Sequence, residues 1–480
     1  MGKFTALALG LLTSVLGSAL TGLALGVWVF QQTGSATQYG VTLLINLLPG
    51  VLFAPLAGVL VDRLSRWAIL VVSEVVSAVT VVALAGLFHA GVLQPWHIFV
   101  AVGIQSLVRS VQMPALSSAV VLLAPKEQMG RANGLLMLAQ ALGSTVGFAG
   151  GGVLLLAIRL DGVLLVDFAT FLLNVVILAF VRIPRPPRPA AEPGAADGLL
   201  AEIRTGWRVL GTRRALLTLL LFSMALNVSL GYADALLTPL VLSFASAASL
   251  GLVVACMGVG AVAGSMALAM WGGPLRRING LAGFALPLGA FLCLGALRPS
   301  VPLILIAALG FTFCFTIVDG TTRNVLQLEV EPAVQGRVFA TYNMVSGAVL
   351  SVSYLLAGPL ADRIFEPMLR TGGRLAGSVG TVVGTGPGRG IALLMLLVGL
   401  LMLVTAALAY VQPSLRGLSD RPTGRPAQDD AAQDDAVQDD AVQDDAAPAA
   451  ETEPVPVPAE AVTVPVPGRD DDTARVSRRG

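Results

Sequence analysis

The chain has 480 residues, of which 55% are hydrophobic and 12% charged, with a formal net charge of +1 and a mean hydropathy of +0.81. A soluble domain carries about 25% charged residues, so this composition excludes an ordinary soluble fold, and the near-neutral balance offers nothing that would hold nucleic acid. Cys256, Cys293 and Cys314 all lie in apolar runs, where a thiol serves as a small hydrophobe; neither a disulfide framework nor a metal site is expected.

A bilayer core about 30 Å thick takes roughly 20 apolar residues per helical crossing. Such windows recur at 4–30, 39–61, 67–88, 97–123, 132–156, 162–181, 215–242, 249–271, 279–297, 301–323, 338–361 and 389–411. They predict an all-α membrane protein with twelve transmembrane spans. The first window is longer than a signal-peptide core and many others follow, so it reads as an uncleaved helix. Ala6 stands where a myristoylation signal needs Ser or Thr.

Arginine and lysine in short loops set orientation. The loops after spans 1, 3 and 7 hold neither, and those after spans 5 and 9 hold only Arg159 and Arg298. The alternate loops hold Arg63 with Arg66, Lys126 with Arg131, Arg276 with Arg277, and Arg337. This pattern predicts a multi-pass protein of the cell membrane with both termini cytoplasmic. The loop after span 11 is the exception, carrying Arg363, Arg370, Arg374 and Arg389; its length and Gly-rich "GSVGTVVGTGPGRG" mark an external excursion, where the charge rule is weak.

The Pro-rich "RIPRPPRPAAEPGAADG" reads as an extended tether and divides the chain into residues 1–182, a cytoplasmic linker at 183–214, and residues 215–412. Within the linker, Leu199, Leu200, Ile203, Trp207 and Leu210 recur at helical spacing, with Arg204 and Arg208 between them. That fits either a helix lying on anionic lipid headgroups or a plain extension of span 7. "PKEQMGRANGLLMLAQ" from Pro125 is echoed by "PAVQGRVFATYNMVSG" from Pro332, at matching places in two six-span halves. From Pro413 onward, four Gln-Asp-Asp repeats between Gln428 and Asp445 lead into "PVPVPAEAVTVPVPG". Such a composition cannot bury a core, so residues 413–480 are expected to be a disordered tail.

A charge at the bilayer centre costs at least ~2.5–3.5 kcal/mol, so each one needs a partner or a purpose. Glu74 lies in span 3, Arg109 in span 4, Asp234 in span 7 and Asp319 in span 10, with Gln112 and Asn227 adding uncharged polarity. Asp319 and Arg323, four apart, share a helix face and can pair locally. Arg109 has no such neighbour, which leaves an anionic ligand or an acid on another helix. No phosphate-binding loop and no HExxH motif occurs, and His89 and His97 flank an external loop; an enzyme is not expected, and no cofactor is implied.

Gly58, Asp62, Arg63 and Arg66, between spans 2 and 3, resemble the loop signature of the major facilitator superfamily. Arg109 and Gln112 are similar to its second motif, with Met113 at the glycine position. Gly143, Gly147, Gly151 and Gly152 in span 5 resemble its antiporter motif, with Phe148 where proline is usual; close packing of small residues accounts for them equally. "VFQQTGSATQYG", "MPAL", "RANGLL", "ADRIFEP" and "GTGPGRGIALL" resemble the macrolide-efflux type within the drug:proton antiporter group, akin to siderophore exporters.

The resemblance covers about residues 1–412 and implies two pseudo-symmetric six-helix bundles around a cavity open alternately to each side. It further implies a gating role for the loop motif: Asp62 would cap the amino end of helix 11, latching the outward-facing state. The function implied is export of a bulky amphipathic small molecule in exchange for protons. The partners are then substrate, protons and membrane lipids, and the working unit a monomer. Asp234, Asp319 and Glu74 are the candidate proton carriers, because helix 1 has no carboxylate. An importer or passive facilitator, or a membrane sensor or scaffold using the acidic tail, stays open at this point.

Overall fold

The computed structural model describes residues 2–123, 129–181, 207–211, 214–271 and 277–412. The helices are α1 (Gly2–Thr33), α2 (Ala36–Arg63), α3 (Arg66–His89) and α4 (Pro95–Leu123), then the run Met129–Phe180. Arg159 breaks that run, with φ 59° and ψ −175°, and its arms, 129–158 and 160–180, are α5 and α6. They are followed by α7 (Arg214–Leu242), α8 (Ala247–Trp271), α9 (Arg277–Leu297), α10 (Val301–Glu329), α11 (Pro332–Leu360) and α12 (Arg389–Val411). Ten described helices are long and apolar enough to cross a membrane, the broken run among them, and Leu281–Leu297 adds a shorter apolar segment.

Elements and turns follow local chemistry. Ser35 is the N-cap of α2, its side chain accepting from the Gln38 N–H, and Ser65 caps α3 by accepting from the Ala68 N–H. The Trp67 indole donates to the Leu178 carbonyl at 2.8 Å, fastening the start of α3 to the end of α6. The five-residue loop expected between spans 5 and 6 contracts to Arg159 alone. One residue outside the right-handed region is enough to reverse the chain, so both helices run closer to the bend than their apolar windows imply.

Close approach of glycines orders the first six helices. A Cβ at Gly143 would lie 2.8 Å from the Leu12 carbonyl oxygen, one at Gly147 2.6 Å from that of Leu16, and one at Gly151 3.0 Å from the Leu23 side chain, so α5 runs parallel to α1. Gly10 meets Asn174 and Gly17 meets Asp167, so α6 returns antiparallel along the same helix. We call the face where α1 begins the near face, and the face where it ends the far face.

Among the later helices, α10 packs on α8 and α9, α12 on α9 and α7, and α11 on α7. The two sets meet where α5 packs on α8, α2 on α11, and α2 on α7. Beyond α11 the chain winds into a π-turn, Ala361–Phe365, and a short helix, Glu366–Leu369. Gly384, Gly386 and Gly388, with φ of 90°, 120° and 78°, make the bend into α12. The linker apart from 207–211, and the tail, lie outside the described residues; within that helical turn Leu210 is buried against residues of α7, α10 and α11, and Trp207 is exposed.

Gly147→Leu should force α1 and α5 apart at an overpacking cost of about 1–3 kcal/mol. The expected result is a lower yield and thermal midpoint of monodisperse protein by fluorescence-detected size exclusion. Gly134→Ala, where the added Cβ meets nothing within 4 Å, should leave both unchanged.

Candidate functional site

Glu74, on α3, is 1% exposed. Its carboxylate accepts from Gln112 Nε2 of α4 at 2.7 Å, from Asn174 Nδ2 of α6 at 2.8 Å, and from the Ser14 hydroxyl of α1 at 3.3 Å. Four helices therefore meet on one carboxylate through neutral donors. The structure brings Glu74 and Gln112 together, although the sequence gives no reason to pair them. Asn174 and Ser14 complete the node and escaped the sequence reading.

Arg109 sits one turn before Gln112 on the same face of α4, without a hydrogen bond to Glu74. It is exposed, yet α4 turns an apolar stripe of Trp96, Val100, Ile104 and Leu107 outward, and at 100° per residue Arg109 lies about 160° around the helix from Leu107. Arg109 is thus exposed on the side of α4 away from that stripe. It is attracted to Asp167 of α6, without the direct ion pair that Asp319 and Arg323 make. Asp167 is 1% exposed and accepts from the Thr170 hydroxyl at 3.4 Å. It is an intramembrane acid missing from the sequence-derived set, and Gly17 leaves the space it fills.

On α10, Arg323 Nε donates to Asp319 Oδ2 at 2.8 Å. The guanidinium also reaches Asn343 Oδ1 at 3.4 Å and stands 5.6 Å from the Tyr342 ring centre. Asp319 is thus held by a cation on its own helix. Asn227 donates to the Ser223 carbonyl of its own helix at 2.8 Å and joins none of these groups.

Asp234 occupies a different setting. Its carboxylate accepts from the Tyr354 hydroxyl of α11 at 3.1 Å. It also interacts electrostatically with Tyr39 of α2, whose oxygen accepts from the Thr238 hydroxyl at 2.9 Å. This cluster joins α2 to α7 and α11, across the line where the two helix sets meet. Gly40 and Gly231 allow the approach: a Cβ at Gly40 would lie 2.7 Å from the Tyr354 carbonyl oxygen, and one at Gly231 2.5 Å from Ser353 Cβ. On the neighbouring surface of α7, Ala233 and Leu237 border a small apolar pocket shared with Met257, Phe291, Ile304 and Met395, all of the second helix set.

Gly143, Gly147 and Gly151 face α1, whereas Gly152 turns to α8, where a Cβ would lie 3.1 Å from Gly251 Cα. One glycine run thus serves a contact inside the first helix set and another between the sets. Of the loop motif, the surroundings of Gly58 and the side chains of Asp62 and Arg63 lie outside the described residues; the backbone of all three belongs to the last turns of α2. Arg66 opens α3 with its Nε buried and without a hydrogen-bond partner.

The family model of the Major Facilitator Superfamily matches residues 7–354. Macrolide efflux protein A of Streptococcus pyogenes is 23% identical over 380 residues, 75% of this chain and 90% of that protein. Multidrug efflux pump Tap of Mycolicibacterium fortuitum is 23% identical over 362 residues, 73% and 87% of the two chains. Among solved structures, a bacterial homologue of the human lysosomal transporter Spinster, inward-facing and unoccupied, superposes with a TM-score of 0.65 at 15% identity, covering 88% of this chain and 98% of that one. The nucleoside transporter NupG does so at 0.63 and 14%, covering 86% and 100%. The polytopic helical fold and the match over most of its length make this chain a member of the Major Facilitator Superfamily, a secondary transporter and not an enzyme.

Proposed function

We propose that this protein exports a bulky amphipathic compound, of macrolide or related drug type, from the cytoplasm in exchange for protons. The two six-helix halves, 1–182 and 215–412, alternate in access about a cavity between them, with both termini cytoplasmic in the cell membrane. The near face is then cytoplasmic and the far face external. Export and a drug-like substrate are supported by the efflux relatives, and an apolar pocket within the second half gives the interior a place for apolar groups.

The observation that carries the proton reading is the position of Asp234. A coupling acid has to change its surroundings when the halves move: Asp234 keeps its hydrogen bond from Tyr354 on its own half, while Tyr39 of α2, on the other half, also faces it. Glu74 has all its partners within the first half, and Asp319 is neutralised by Arg323. Asp234 is therefore the proton carrier, Glu74 a structural staple, and Arg109 a cavity cation available to an electronegative group of the substrate.

In everted vesicles acidified inside, erythromycin should accumulate, and a protonophore should abolish the accumulation. Uptake of erythromycin by intact cells with none in everted vesicles would establish an importer or facilitator instead. Removing residues 413–480 should leave this transport intact, an outcome that a scaffold working through its tail could not produce.

Two substitutions separate the acids. Asp234→Asn should lower proton-driven accumulation about tenfold or more, equivalent to at least ~1.4 kcal/mol, with erythromycin binding retained. Glu74→Gln sets an amide N–H₂ against donors and should cost about 1–3 kcal/mol of stability. The expected result is a lower thermal midpoint with residual transport still proton-dependent. The reverse pattern would give the proton to Glu74.

A further inference from the structure

The end of α2 reads Ala57-Gly58-Val59-Leu60-Val61-Asp62-Arg63, and the end of α11 reads Ala357-Gly358-Pro359-Leu360-Ala361-Asp362-Arg363, five of seven positions identical. The two helices are antiparallel partners: Gly40 meets Tyr354 near one end and Val51 meets Gly347 further along. One short pattern therefore stands at opposite ends of a single helix pair, Asp62 on the near face and Asp362 on the far face. This is the arrangement expected of an inverted repeat.

At Asp362 the contact is closed. Its Oδ2 accepts from the Ser35 hydroxyl at 2.8 Å, the Thr37 N–H at 2.9 Å and the Thr37 hydroxyl at 2.7 Å, and its Oδ1 accepts from the Ala36 N–H at 3.2 Å. These donors form the cap and first turn of α2, whose free N–H groups and partial positive charge suit a carboxylate. Gly358 makes the approach possible, since a Cβ there would lie 2.6 Å from the Thr37 nitrogen. The π-turn Ala361–Phe365 carries Asp362 off the end of α11. Behind it, Glu366 accepts from the Gly388 N–H at 2.7 Å and the Gly390 N–H at 2.9 Å, tying the same segment to the start of α12. Asp362 is thus anchored on its own half and gripped by the other.

We propose that Asp362 is a positioning residue of the transport cycle, a far-face latch that holds α2 against α11 while the near face is open. Its release, with engagement of Asp62 at the other end of the pair, accompanies opening to the far side. This inference rests on the alternating-access reading above, but its test needs neither substrate nor proton gradient.

The test is electron–electron double resonance on the full chain in nanodiscs, with Cys256, Cys293 and Cys314 replaced by alanine. Spin labels at Gln32 and Arg370 report the far face, and labels at Leu64 and Leu328 the near face. Asp362→Asn should lengthen the first distance and shorten the second, shifting the population ratio about tenfold, the scale expected for losing charge-assisted hydrogen bonds. Asp62→Asn should shift the ratio the opposite way. Ser35→Ala and Thr37→Val, which remove hydroxyl donors only, should move both distances as Asp362→Asn does but less, and they decide the matter if that variant fails to insert. A lower thermal midpoint with distances unmoved in these variants would make the contact a static brace and overturn the proposal. Shifted distances in a protein that exports no macrolide would leave the latch standing and overturn the substrate reading alone.

Discussion

A carboxylate taken out of water has to be met by hydrogen-bond donors, and the ways in which this chain meets that demand sort its acids by what each can do. Glu74 is met by amides and a hydroxyl from three neighbouring helices of one set, so its satisfaction moves with that set as a unit. Asp319 is met by an arginine one turn along its own helix. Asp234 is met by Tyr354 across a helix boundary, and Asp362 by the opening turn of α2. Of these four, Asp362 has donors on the other half that a relative motion of the halves can remove, whereas Asp234 keeps Tyr354 on its own half and can lose the neighbouring Tyr39 of α2. The distinction follows from where the donors are anchored, since the four acids are chemically alike.

The same division runs through the glycines. Gly143, Gly147 and Gly151 bring α5 within backbone contact of α1, a join inside one helix set that close packing keeps permanent. Gly152 against Gly251, Gly40 against Tyr354, and Gly358 against Thr37 are joins between the sets. Such contacts gain dispersion energy over small, smooth areas and leave few interlocked side chains to disengage. The far face is therefore closed by backbone contact and carboxylate hydrogen bonding together with apolar packing, in which Leu23, Val27 and Ala36 are buried in one cluster with residues of α7, α11 and α12.

Much of this was legible in the sequence because hydrophobic length and loop charge are strong, local signals. Span positions, the Asp319–Arg323 pair and the glycine run needed no tertiary information. What failed was pairing at a distance. Glu74 and Gln112 were singled out separately, though nothing in a linear reading joins residues 38 apart on different helices. Asp167 and Asn174 carried a usable signal that went unread: they are seven apart, two turns along one face, and Gly10 and Gly17 show the same spacing on the helix they meet. Asp362 was hidden for another reason. Its loop reads as an external excursion by its length and Gly-rich run, despite its arginines, and that placement draws no attention to the acid beside Arg363. The five-residue loop expected at Arg159 erred because apolar windows locate the ends of buried surface, and a helix can continue past them until one residue reverses it.

Tyr354 on α11 and Asp362 in the π-turn that follows it lie eight residues apart, about 12 Å along a helix axis, and their side-chain contacts are to α7 in one case and α2 in the other. Gly358, between them, is seated on Thr37, and Tyr39 stands two residues beyond Thr37 beside Asp234. A displacement of α2 from α11 that frees Asp362 thus also withdraws Tyr39 and the Gly40 contact from the surroundings of Asp234. In the proposed cycle the latch and the proton-carrying acid consequently share one moving surface. Changing the charge on Asp234 then alters the cost of parting that surface, and parting it alters the access of water to Asp234. Coupling of proton movement to gate opening needs no longer relay than this stretch of α2 against α11, because both groups are gripped by the same pair of helices.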